Sequence, residues 1–99
     1  MKGIISDLNK VFENKVRLGI MSSLMVNEFL NFKNLKKLLD VTDGNLASHL
    51  KALEKSEYIS FEKKFIDRKP NTNYFLTEKG RQAFKKHVLA IEKLLSNSK

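Results

Sequence analysis

Val41-Thr42-Asp43-Gly44-Asn45-Leu46-Ala47-Ser48-His49-Leu50-Lys51-Ala52-Leu53-Glu54 is the stretch whose periodicity decides the fold. Thr42 is a good N-cap, since its hydroxyl can accept from an N–H of the first helical turn. Asp43 then brings negative charge to the positive end of the helix dipole. The spacing predicts a helix from Asp43 to about Lys55. Leu46, Leu50 and Leu53 recur at i, i+4 and i+7, one stripe that must face a core. Rotation about the helix axis puts Gly44, Asn45, Ser48, Lys51, Ala52 and Lys55 outside, with His49 at the border. These side chains are small, polar or basic, so nothing large and apolar obstructs close approach to another surface. An ordinary solvated face has the same look.

The flanking residues give the helix its context. Upstream, Ile4, Leu8, Val11 and Phe12 lie at helical spacing and predict a first helix. Asn14 can cap a second, with Val16, Ile20 and Leu24 inward, fading near Asn27. Glu28-Phe29-Leu30 reads as a short extended piece. Asn31 can cap a short helix with Leu35, Leu38 and Leu39 facing in, broken at Asp40-Val41-Thr42. Downstream, Tyr58 to Ile66 is aromatic and β-branched, as strands prefer. Asp67-Arg68-Lys69-Pro70-Asn71 reads as a turn or loop and Thr72 to Leu76 as a return strand. Thr77 caps a last helix from about Glu78 to Leu95. Two short helices joined by a tight turn and followed by a hairpin make a winged helix-turn-helix. The expected fold is mainly α with a small β-hairpin, one domain over residues 1–99. Its helix-turn-helix spans about 31–56, its wing about 58–77 and its C-terminal helix about 78–95.

Composition narrows the partners. The 99 residues carry 19 Lys and Arg against 11 Asp and Glu, a net charge of +8. Residues 1–50 hold 7 basic and 5 acidic side chains, a net of +2; residues 51–99 hold 12 and 6, a net of +6. The cationic excess thus sits in the second half of the chain. A basic surface suits nucleic acid, anionic lipid or acidic proteins. Cys is absent, which removes disulfides, thiolate metal sites and cysteine nucleophiles together. The N-terminus turns polar at Ser6-Asp7 before any signal-peptide core develops. No apolar run approaches the roughly 20 residues that span a bilayer. A cytoplasmic location without membrane contact is expected.

The outward face of the Asp43–Lys55 helix suits a DNA major groove. Asn45 can offer a bidentate amide to adenine, Ser48 can meet a base or phosphate, and the Ala52 methyl can pack on a thymine methyl. Lys51 and Lys55 would reach phosphates. On the hairpin, Lys63, Lys64, Arg68 and Lys69 stand against Glu62 and Asp67, and Arg68 can enter a narrow minor groove. A hairpin tip charged to stay soluble and to blunt a sheet edge has the same composition.

At these residues the chain resembles the MarR/ArsR-like winged-helix transcription regulators, most closely the small single-domain type. Val41 to Glu54 resembles their recognition-helix block. Arg68 to Arg81 resembles their wing, second strand and helix start. The resemblance covers roughly Val16 to Ile91. It implies a homodimer that binds double-stranded DNA and usually represses transcription. It implies base contacts from exposed positions of the helix after Thr42, a DNA-binding set there of Thr42, Asp43, Asn45, Ser48, His49, Lys51, Ala52 and Lys55, and phosphate or minor-groove contacts by the wing, Thr72 included. Two departures stand out. The family often has Gly after the recognition helix, where this chain has Glu57. It often has Gly in the wing where this chain has Asp67, and a basic residue where it has Asn71.

The last helix carries Phe84, Val88, Ile91 and Leu95 at spacings of 4, 3 and 4, a short heptad-like seam. With Ile4, Leu8 and Phe12 of the first segment, these are the expected dimerisation residues; packing within the chain would use the same pattern. A dimer would set two reading helices roughly 34 Å apart, one turn of duplex. His49 and His87 fall on different helices with no close carboxylate pair, so no metal and no cofactor is expected. No Gly-rich phosphate loop and no Ser/His/Asp grouping stands out, so no enzyme is expected either. Met21, Met25 and Phe12 sit where an effector can lodge between dimer helices, but Met and Phe at this spacing usually mean core. The alternative reading is a winged-helix protein-interaction module, whose signature would be exposed apolar groups such as Phe65 and Phe75. RNA binding lacks an aromatic stacking platform.

Overall fold

Asparagine and threonine side chains start the helices. Asn14 Oδ1 accepts from Val16 N at 2.9 Å and Arg17 N at 3.2 Å, opening α1 (Lys15–Met25). Asn31 Oδ1 accepts from Asn34 N at 2.7 Å and opens α2 (Phe32–Leu39). Thr42 Oγ1 accepts from Asn45 N at 3.2 Å and opens α3 (Asp43–Lys55). Thr77 Oγ1 accepts from Gly80 N at 2.9 Å and opens α4 (Glu78–Asn97). Each cap satisfies an N–H that has no partner inside its helix. The strands are β1 (Leu30–Asn31), β2 (Ile59–Ile66) and β3 (Lys69–Leu76), all antiparallel, in the order β1-β3-β2. This is a computed structural model describing residues 3–97, without the side chains of Ile4 and Asn97.

The leucine stripe of α3 faces inward as its spacing requires. Leu46, Leu50 and Leu53 are at most 1% exposed and join Ile20, Met21 and Leu24 of α1 and Leu35 of α2 in one core. Each such burial stabilises by about 1.5–3 kcal/mol. Because the stripe is inside, the opposite face of α3 stands in solvent.

The first segment is not an α-helix but two 3-10 turns, Ile4–Asp7 and Lys10–Glu13. Leu8 and Asn9 between them are extended, at ψ 136° and 118°, because Asn9 N donates to the buried His87 Nδ1 at 2.9 Å. Phe12, expected at a subunit contact, is 1% exposed, its ring packed on Tyr58, Phe84 and His87. Phe84 is likewise buried in the chain's own core. Leu38, expected inward, is exposed. The wing turn is two residues, Asp67-Arg68, rather than a five-residue loop, since Lys69, Pro70 and Asn71 pair with Ile66, Phe65 and Lys64. Pro70 is tolerated because β1 flanks β3 only at Asn73 and Tyr74, leaving an open edge there.

Both positions where the family often has glycine fall on left-handed backbone. Glu57 has φ 64° and Asp67 φ 51°. At the end of α3, Tyr58 N donates to Leu53 O at 3.0 Å and Glu57 N to Glu54 O at 2.9 Å. That is a Schellman cap with Glu where glycine is favoured. Glu57→Gly is therefore expected to stabilise by about 0.5–1 kcal/mol, the left-handed penalty less glycine's extra unfolded entropy. Urea unfolding of the two forms measures it; an unchanged or lower midpoint contradicts the strain.

His87 gives stability a pH dependence. Burial lowers its pKa from the ordinary 6.5, with Glu13 acting in the opposite sense. The folded chain thus keeps the ring neutral and accepting from Asn9, while the unfolded chain takes up a proton near 6.5. Stability is full above that value and falls as pH drops below it. His49, also lowered by burial and then by Arg17, adds in the same direction. The loss of stability between neutral pH and about pH 5 should be smaller in His87→Gln than in the parent. Equal losses would show that His87 does not set the pH dependence.

Candidate nucleic-acid interface

The exposed face of α3 is built from its first turn onward. Thr42, Asp43, Asn45, Ser48, Lys51 and Lys55 are exposed; His49 and Ala52 are half-buried at its margins. Ala47 is exposed as well and went unremarked in the sequence reading. The face carries no large apolar group. Asp43 does not stand as a bare anion, since Lys36 Nζ of α2 lies 2.8 Å from its carboxylate. Both partners are largely exposed, so this pair adds little stability; its effect is to mask a charge that would repel phosphate.

Two further cations reach this face from α1. Arg17 Nε donates to His49 Nδ1 at 3.1 Å. With Nδ1 accepting, the proton of the neutral ring belongs on Nε2, which makes His49 a donor. Lys15 shares a groove with Thr42, Asn45 and the turn between α2 and α3. Lys15, Arg17 and Lys36 were missed because they lie on other helices, and only tertiary packing brings them to α3. Behind the face, Glu54 is half-buried; burial raises its carboxyl pKa, with Lys51 acting in the opposite sense.

The wing projects beyond α3. Every residue from Phe61 to Pro70 is exposed, and the eight-residue strands pair from Ile59↔Leu76 to Ile66↔Lys69. Asp67 and Arg68, at φ 51° and 66°, form a two-residue turn with both centres left-handed, the kind that matches strand twist. Lys63, Lys64, Arg68 and Lys69 are all on this ribbon. Lys64 lies 3.6 Å from Glu62, and Lys63 Nζ sits 5.8 Å from the Phe61 ring centroid. Thr72 is half-buried at a groove shared with Lys33 and Asn71. Lys51 and Lys55 thus stand exposed on α3, and Lys63, Lys64, Arg68 and Lys69 stand exposed on the ribbon that follows it in the chain.

The expected dimerisation residues divide. Val88 packs partly on the core and Leu8 is half-buried, while Ile91 is 37% and Leu95 74% exposed. Ile5 and Leu89, which the sequence reading did not single out, are exposed too. The side chain of Ile4 lies outside the described residues. Among the described residues no group of three or more His, Asp or Glu can hold a metal ion. Among the described residues no helix is long and apolar enough to cross a membrane.

A helix-turn-helix whose second helix presents a small polar face beside a basic β-ribbon is the geometry of a DNA-binding winged helix. The family model for the winged helix DNA-binding domain matches residues 16–95. The chain belongs to that family. It is 39% identical over 88 residues to an uncharacterized protein of Methanocaldococcus jannaschii, covering 89% of this chain and 96% of that one. It is similar to the solved transcriptional regulator homologue of Pyrococcus horikoshii, with TM-score 0.81 and 32% identity over 87% of this chain and 85% of that one. The YusO protein of Bacillus subtilis shares the fold at TM-score 0.82 and 16% identity, over 96% of this chain and 67% of that one.

Proposed function

We propose that this DNA-binding regulator reads a specific duplex site as a homodimer and represses transcription by occupying it, with no catalysis of its own. The observation that carries the reading is the face of α3: side chains able to discriminate bases, bracketed by cations and free of apolar bulk. Asn45, Ser48 and Ala52 would meet base edges. Lys51, Lys55 and His49 would meet phosphates, joined by Lys63, Lys64, Arg68, Lys69 and Thr72 of the wing. Thr42 and Asp43 set the helix start. One chain over residues 1–99 forms the domain. Two copies would join through Ile5, Leu8, Ile91 and Leu95, with Val88 at the edge; Phe12 and Phe84 are left out because each chain buries its own.

The protein-interaction alternative rests on the wing rather than on α3, where Phe65 is exposed and Phe75 half-buried. Selection of bound sites from a random duplex library tests the proposal. The expected product is a two-fold symmetric consensus with half-site centres about 10 base pairs apart. Failure to enrich any sequence would overturn specific recognition, and an unrepeated single half-site would overturn the dimer.

A further inference from the structure

The wing ends in apolar bulk that none of the described residues covers. Phe65 is 79% exposed and Ile66 54%, and they are the last two residues before the Asp67-Arg68 turn. Successive strand residues point to opposite faces, so each face of the ribbon tip carries one large apolar side chain. Phe65 pairs with Pro70, itself exposed and with φ fixed by its ring, which stiffens the tip. Solubility explains the lysines of this ribbon but not Phe65 and Ile66, which make an open edge more prone to aggregation.

We propose that Phe65 and Ile66 form an apolar wedge that enters the minor groove of a duplex held by α3, while Lys63, Lys64, Arg68 and Lys69 take the flanking phosphates. The inference rests on the DNA-binding reading above. Charge complementarity favours it: four cations interleave with the apolar pair, against Glu62 and Asp67. The core of a protein–protein patch is depleted of lysine, and this tip is not. Phe, Ile and Pro are among the side chains that wedge between base steps. Reach fits as well. Seven strand steps separate buried Ile59 from Ile66, placing the tip roughly 20 Å out along the ribbon, against a half-turn of duplex of about 17 Å.

The chain contains no Trp, so Phe65→Trp makes a single reporter at the tip. On addition of a short mixed-sequence duplex, its emission should be quenched and its access to acrylamide should fall by about half or more, as base stacking requires. Binding seen by anisotropy with the reporter still fully accessible overturns the wedge alone. Shielding that grows with protein concentration in the absence of DNA also overturns it, since a second copy then covers the tip. Phe65→Ala should weaken duplex binding about tenfold without changing the salt slope, whereas Arg68→Ala should make that slope shallower by about one. Unchanged affinity in Phe65→Ala counts against the wedge. No duplex binding by the parent chain would remove the underlying reading together with it.

Discussion

Gly80→Ala is expected to lower the melting temperature by roughly 10–20 °C, from a net loss of about 2–3 kcal/mol. A Cβ at position 80 would lie 1.9 Å from the Tyr58 carbonyl oxygen and 2.7 Å from its carbon, both backbone atoms. That carbonyl already accepts from Thr77 N at 3.1 Å, and Thr77 Oγ1 donates to Glu57 O at 2.6 Å. The start of α4 is thus fastened to the chain leaving α3, and neither side can shift without losing these bonds. Ala would gain about 1 kcal/mol in helix propensity, which the clash exceeds. Thermal unfolding followed by circular dichroism decides the matter. A melting temperature equal to or above the parent's would mean that α4 can move away from Tyr58 at no cost.

The second large effect concerns binding. Affinity for duplex DNA should fall by about 10³–10⁵ between roughly 50 and 200 mM salt if some 6–10 phosphates are neutralised. Lys51 and Lys55 on α3 and Lys63, Lys64, Arg68 and Lys69 on the wing supply the cations. At about −0.9 per phosphate, 6–10 contacts give a log–log slope between about −5 and −9, and the six cations of one chain alone reach only the shallow end of that range. Anisotropy titrations across a salt series therefore read both the size of the electrostatic contact and the number of chains making it. A flat response would show that these cations do not meet phosphate.

What could be read from the sequence was whatever local chemistry determines. Asn14, Asn31, Thr42 and Thr77 each cap the helix they were expected to cap, because a cap acts within three residues of itself. The outward face of α3 followed from three leucines, since a helix with one buried stripe has only one way to face. The misreadings have tertiary causes. Ile4, Leu8 and Phe12 have α-helical spacing, but the distant His87 takes the N–H of Asn9 and breaks the run. Pro70 and Asn71 favour turns, yet pairing with Phe65 and Lys64 draws them into β3. Phe84 and Val88 begin a seam that looks continuous to Leu95, but the core claims its first half. Gly80 gave no sign of its role, because the atom it must avoid belongs to a residue 22 positions earlier.

Amide chemical-shift mapping on the labelled chain, titrated with a duplex recovered by site selection, tests most directly whether α3 and the wing together hold DNA. The largest shifts are expected at Asn45, Ser48, Lys51 and Arg68, with Leu89 and Glu92 on α4 little changed. Shifts concentrated on α4, with the α3 amides unmoved at saturation, would contradict it.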